Sequence, residues 1–179
     1  SEAETVLEEM KEVSKRTEEK NKKVEDDDKR SIDELRKKLE KVLREDRRSI
    51  EDLERRLKEN KGSDKVLREL KERLRRNKDR SEKVVEDLKR ELDKNLEDSK
   101  KISEETKREN ERALEKARRA NVEEEVLRTI ERLSRENKKK DEDTLRKSKE
   151  EHERVREELE RVLETSRREH EKVKKRLED

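Results

Sequence analysis

Apolar residues return along this chain every three or four positions, and at fixed places between them return serine, asparagine, aspartate and histidine. Val24, Asp28, Ser31, Ile32, Leu35 and Leu39 are repeated eighteen residues later as Val42, Asp46, Ser49, Ile50, Leu53 and Leu57. The block before them, Val6, Met10, Val13, Ser14, Thr17 and Asn21, keeps the spacing but exchanges polar for apolar positions. A second segment repeats Leu70, Leu74, Asn77, Ser81 and Val84 as Leu88, Leu92, Asn95, Ser99 and Ile102, then in altered form as Thr106, Asn110, Ala113, Ala117 and Ala120. A third has Leu145, Ser148, His152, Val155 and Leu159 followed by Leu163, Ser166, His170, Val173 and Leu177, all preceded by Leu127, Ile130, Ser134, Asn137 and Asp141. Wound at 100° per residue, each set forms a stripe about 120° wide, the width of a helix face inside a bundle and broader than a dimeric coiled-coil seam. Eighteen residues make five turns at 3.6 residues per turn, so the stripe does not drift and the helices are expected to be nearly straight.

The breaks in this pattern are few. Ser1 with Glu4 three residues on forms a capping box that starts a helix at about residue 2. Nothing stops it before Asn60-Lys61-Gly62-Ser63-Asp64, where Gly62 suits a left-handed helix exit and Ser63 or Asp64 the next N-cap. A second turn is expected around Asn121, either as a C-terminal residue with positive φ or as an N-cap with Glu124 at its third position. Helices are thus predicted over 2–60, 64–119 and 122–178, each about 85 Å long at 1.5 Å per residue. The expectation is an all-α, single-domain, antiparallel up-down-up three-helix bundle.

Composition changes the picture mainly by exclusion. A chain that is 63% charged and 22% hydrophobic would suggest disorder if the periodicity did not argue otherwise. Its 57 basic and 55 acidic residues nearly cancel, which leaves no net field to draw in nucleic acid or an anionic membrane. Runs such as Lys138-Lys139-Lys140 are flanked by acids. Aromatic residues are absent, which removes base-stacking platforms and the usual interface anchors. Cysteine is absent too, excluding disulfides and thiolate chemistry. No apolar run is long enough to span a bilayer, and Ser1-Glu2-Ala3-Glu4 has no basic region followed by an apolar one. The chain reads as soluble and unprocessed, expected in the cytoplasm on recombinant expression.

The polar stripe residues gather into layers. In an antiparallel hairpin, facing residues have numbers with a constant sum, here about 123 across Gly62 and about 243 across Asn121. By that rule Asp46 meets Asn77 and Asn77 meets Ser166, while Asp28 meets Asn95 and Asn95 meets Ser148. Two equivalent layers are expected about 27 Å apart along the helices: Asp46, Ser49, Asn77, Ser81, Ser166 and His170, and then Asp28, Ser31, Asn95, Ser99, Ser148 and His152. A third holds Ser14, Thr17, Asn21, Ser103, Thr106, Asn110, Ser134, Asn137 and Asp141. A buried hydroxyl or amide without a partner costs about 1 to 3 kcal/mol, so such layers are tolerable only as networks. What they add is register, because a helix displaced by one turn would set Asn and Asp against Leu.

Asp, His and Ser at one level have the residue types of a catalytic triad. Leu and Val layers above and below leave no pocket and no free oxyanion donors, so no catalytic residue is assigned and the chain is not expected to be an enzyme. One His and one Asp per layer fall short of a three- or four-ligand metal set, and no metal or cofactor is expected. Histidines beside aspartates do suggest a response to pH, with no loss of stability between pH 7 and 5 if the pairs form.

The strict eighteen-residue stripe, the Ser, Asn, Asp and His at set core positions and the Glu, Lys, Arg and Asp surface resemble parametrically designed helical bundles with planned buried hydrogen-bond networks. That resemblance covers the whole chain. It implies a structural scaffold without an evolved activity, a monomer with no partner. The rival is an interaction module, a homo-oligomer or a bundle accepting a further designed helix, in which Leu43, Leu67, Leu96 and Leu114 at the stripe margins form an interface instead of sealing the core. A single long helix does not account for Gly62 or for the matching stripes.

Overall fold

The computed structural model describes residues 1–179 and consists of α1 (Glu2–Glu59), α2 (Asp64–Arg119) and α3 (Glu124–Glu178). Glu, Lys, Arg and Leu favour helix intrinsically, and no proline interrupts. Exposed pairs one turn apart, such as Asp27 with Arg30 and Glu164 with Arg168, add at most a few tenths of a kcal/mol each. Burial of the stripes must therefore hold the helices in place.

The helix ends follow local chemistry. The Ser1 hydroxyl accepts from the Glu4 N–H at 3.3 Å while the Glu4 carboxylate reaches back to the terminal amine at 3.5 Å, a reciprocal capping box. At the other end of α1 the Asn60 amide donates to the Arg56 carbonyl at 2.9 Å, and Gly62 takes a positive φ of 86°. Ser63, not Asp64, caps α2, since its hydroxyl accepts from the Val66 N–H. The second turn departs from both expectations for Asn121. No residue other than glycine has positive φ, and α3 begins at Glu124, not at 122, with the Glu123 carbonyl accepting from the Leu127 N–H. Val122 is the cause. It packs with Leu127 against the same apolar cluster, as the residue before an N-cap does in a hydrophobic staple, and this moves the cap to Glu123.

The chain divides into two compact units, and each helix gives a segment to both. The first comprises Ser1–Ser31 and Lys94–His152. Its α1 and α2 segments are antiparallel, since Glu9 pairs with Lys116 and Lys20 with Glu109, while α1 and α3 run in parallel from the Met10 to Asn137 contact to the Asp28 to His152 pair. Its apolar core is Val6, Met10, Val13, Ala117 and Ile130, with Leu114, Val126 and Leu127 packed against it.

The second unit comprises Ile32–Asp93 and Glu153–Asp179. Lys38 pairs with Glu91 and Asp52 with Arg73 across antiparallel segments; Arg36 pairs with Glu158 and Glu54 with Arg176 across parallel ones. Two apolar clusters form its core. One gathers Ile32, Leu35, Leu39, Val85, Leu88, Leu92, Val155, Leu159 and Leu163, and the other Ile50, Leu53, Leu70, Leu74, Val173 and Leu177. No large hydrophobic residue is exposed anywhere, and Leu43, Leu67, Leu96 and Leu114 are half-buried.

Two stripe positions differ from expectation. Val85 and Thr144 are buried where Val84 and Leu145, only half-buried, were placed. Each buried residue continues the alternation of three- and four-residue steps that keeps side chains on one face, as Ser81, Val85, Leu88 and Asp141, Thr144, Ser148 illustrate.

Candidate functional site

In the second unit the Asp46 carboxylate, 8% exposed, joins three helices. Ser81 of α2 donates to its Oδ1 and Ser166 of α3 to its Oδ2, each at 3.2 Å, and His170 Nε2 stands 3.1 Å from Oδ1. The His170 Nδ1 faces the carbonyl of Ser166 at 2.6 Å. Asn77 does not meet Asp46. Its amide donates to Ser49, and its oxygen accepts from Arg80 at 3.0 Å.

The residues eighteen earlier do not repeat this arrangement. In the first unit Ser99 donates to Asp28 Oδ1 at 2.8 Å, but His152 Nε2 is 3.8 Å away and Ser148 Oγ has no protein partner. Ser31 donates to the Asp28 backbone carbonyl instead of to Asn95, which is half-buried and makes no hydrogen bond. In the third layer the polar side chains bond one another between α2 and α3, and only Met10 Sδ, which accepts from Asn137 at 3.8 Å, joins them from α1. Asn110 donates to Ser134 Oγ at 3.0 Å and accepts from Asn137 at 3.2 Å, while Thr106 bonds the Ile102 carbonyl of its own helix. From α1, Ser14 Oγ, Thr17 Oγ1 and the Asn21 amide nitrogen are buried without hydrogen bonds, as are Ser103 Oγ and both oxygens of Asp141.

These pairings correct the expected register. Asp46 with Ser81 and Asp28 with Ser99 each sum to 127, not 123, while Asn110 sums to 244 with Ser134, near the expected 243, and to 247 with Asn137. Helical side chains lean toward their own N-terminus, covering the surface about one position back. In antiparallel helices both leans act together, so partners at one level have a higher sum than the helix ends indicate. Between the parallel α1 and α3 the leans cancel.

A solved structure described as "Computationally designed three helix bundle" is similar to this chain, with a TM-score of 0.63 and 21% identity over 98% of this chain and 90% of that one. The fold is a three-helix bundle. No protein-family model and no curated protein matches the sequence.

Electrostatics separate the polar layers of the bundle. Burial works against the charged form of His170, as does Lys78, but the Asp46 carboxylate and the Ser166 carbonyl outweigh them, and its pKa lies above the usual 6.5. Asp141 has no such partner. Burial pushes its carboxyl up to about 6, and the Asn21 amide, which faces it without closing a hydrogen bond, and nearby Lys20 only partly oppose this. No group of three or more His, Cys, Asp or Glu side chains converges in a way that would hold a metal ion. No helix is long and apolar enough to cross a membrane. Thr144, 6% exposed, is the polar core residue that sequence reasoning missed, although its spacing from Asp141 and Ser148 marked it.

Proposed function

We propose that this three-helix bundle is a designed structural scaffold whose buried polar layers specify helix register, and that it has no evolved substrate. The observation that supports this best is Asp46, which collects Ser81 from α2 and Ser166 and His170 from α3. Moving either neighbour by one helical step would withdraw Ser81, or Ser166 and His170 together, from a buried carboxylate, at a cost of several kcal/mol. The designed bundle of similar fold and the matched polar positions in three helices favour the same reading.

Register is tested by removing the layer. Spin labels at Arg44→Cys and Lys83→Cys, both exposed, report the α1 to α2 distance. With the layer intact one narrow distance is expected. In Asp46→Leu/Ser81→Ala/Ser166→Ala/His170→Leu the distribution should broaden or split while thermal stability holds or rises, because well-packed apolar replacements of buried charges are often neutral or stabilising. The same single distance in both proteins would refute a register role.

The interaction-module alternative predicts an assembly. No exposed large hydrophobic residue is left to anchor a partner, so light scattering is expected to return the mass of one chain, 21.9 kDa.

A further inference from the structure

On the α1 to α2 face of the second unit, opposite charges usually meet, as Lys38 does Glu91 at 3.2 Å and Arg73 does Asp52 at 2.5 Å. One stretch breaks that pattern. Arg48 from α1 and Arg73, Arg76 and Arg80 from α2 line a cleft of about 700 Å³, with Glu45 as the sole carboxylate and Ser49 and Asn77 completing the wall. Four guanidinium groups thus line the cleft with one carboxylate, and of the four only Arg73 is ion-paired, with Asp52 outside the lining.

Two of the four are already held in place. Arg73 is fixed by Asp52, and Arg80 donates to the oxygen of Asn77, which is 6% exposed and hydrogen-bonded in turn to Ser49. Ser49 accepts that amide and keeps its own hydroxyl proton to donate. Arg48 and Arg76 make no hydrogen bond and no ion pair, although Arg76 lies near enough to Glu72 on its own helix to lower that acid's pKa. Glu72 is itself hydrogen-bonded to Arg75.

We propose that this cleft is a binding site for a small multivalent oxyanion of the phosphate type. Guanidinium groups present paired N–H donors that match two oxygens of one anion, so a phosphate recruits several at once where a halide cannot. Arg73 and Arg80 are preorganised by Asp52 and Asn77, while the unpaired Arg48 and Arg76 are free to close over the anion. An anion with at least two charges also converts repulsion among the four arginines into attraction.

The probe is inorganic pyrophosphate, titrated calorimetrically at an ionic strength held constant with sodium chloride. One saturable site per chain is expected. Arg48→Gln/Arg76→Gln should weaken binding about tenfold or more, whereas Arg135→Gln/Arg154→Gln, the same charge change at exposed positions outside the cleft, should stay within about twofold. Pyrophosphate should also shift the backbone amide resonances of Ser49 and Asn77. The proposal is overturned by a lack of saturable binding, by equal losses in the two double variants, or by amide shifts that bypass Ser49 and Asn77.

Discussion

His170 holds Nε2 3.1 Å from Asp46 Oδ1 and Nδ1 2.6 Å from the Ser166 carbonyl, so both ring nitrogens face oxygen acceptors. A neutral imidazole donates from one nitrogen only, and its other lone pair would then point at an oxygen. The imidazolium makes both contacts attractive, the one to Asp46 as an ion pair that does not close a hydrogen bond. Its folded pKa is raised above 6.5, so the stability it confers is full below about pH 6.5 and is lost as the pH rises through the folded value. Denaturant unfolding from pH 5.5 to 8.5 should show stability declining toward the alkaline side, and His170→Gln should reduce that slope. An unchanged slope would rule out the pair as its source.

Asp141 drives stability the same way for a different reason. It is 5% exposed with neither oxygen hydrogen-bonded, and its carboxyl titrates at about 6 against an ordinary 3.8. The fold therefore favours the protonated acid. Its carboxylate costs stability at neutral pH, and relief comes as the pH falls through 6 toward the unfolded value. The difference corresponds to at most about 3 kcal/mol. Asp141→Asn should stabilise the protein at pH 7 by up to that amount and have little effect near pH 3.5. Equal effects at both pH values would contradict a titrating origin.

Asp46 and Asp28 are repeat-mates with unequal consequences. Removing Asp46 strands two hydroxyls and a histidine, whereas Asp28 receives one short bond from Ser99 and stands 3.8 Å from His152. Asp46→Ala is expected to cost about 3 kcal/mol or more, in the range for one member of a buried charged pair, and Asp28→Ala roughly half as much. Chemical denaturation of the two variants at pH 6 checks the ordering, and a larger loss for Asp28→Ala would reverse it.

Gly62 marks the turn by conformation alone. A Cβ added there meets nothing within 4 Å, but its φ of 86° is unfavourable for side-chain-bearing residues. Gly62→Ala should cost about 1 to 2 kcal/mol, the usual left-handed penalty, and Gly62→Asn less, since asparagine tolerates that conformation. Thermal melts of both variants distinguish backbone strain, which separates them, from crowding, which would penalise asparagine more.

The helices, the Gly62 turn and a break near Asn121 were legible because each rests on local chemistry: caps, one glycine and a period of eighteen. Partner identity was not. Asp46 bonds Ser81 instead of Asn77 because side chains lean along their helices, a displacement that counting from the turn ignores. Nor did the repeat reveal that Asn95 and Ser31 would fail to copy Asn77 and Ser49. Identical letters eighteen residues apart face different neighbours: Ser31 turns to the Asp28 carbonyl of its own helix, and the serine hydroxyl needed across the groove is then engaged elsewhere. At Asn121 the local signal was real, but the burial of Val122 outweighed it.

The two units differ in what they bury. Of seventeen buried polar residues, thirteen lie in Ser1–Ser31 and Lys94–His152, a unit with six buried apolar residues, while Ile32–Asp93 and Glu153–Asp179 hold fifteen apolar and four polar ones. Nine of the ten buried side-chain atoms without hydrogen bonds belong to the first unit as well. Apolar burial stabilises by roughly 25 cal/mol per Å², and each unpartnered polar atom subtracts about 1 to 3 kcal/mol. Opening should therefore begin in the first unit. Native-state hydrogen exchange is expected to find lower opening free energies for amides around Thr17, Thr106 and Asp141 than around Leu35, Leu88 and Leu159. Replacing Thr17 and Ser103 with valine and alanine should raise protection in the first unit. Equal protection in the two sets of amides, or greater protection around Thr17, would mean that the polar layer is better satisfied than its hydrogen bonds indicate.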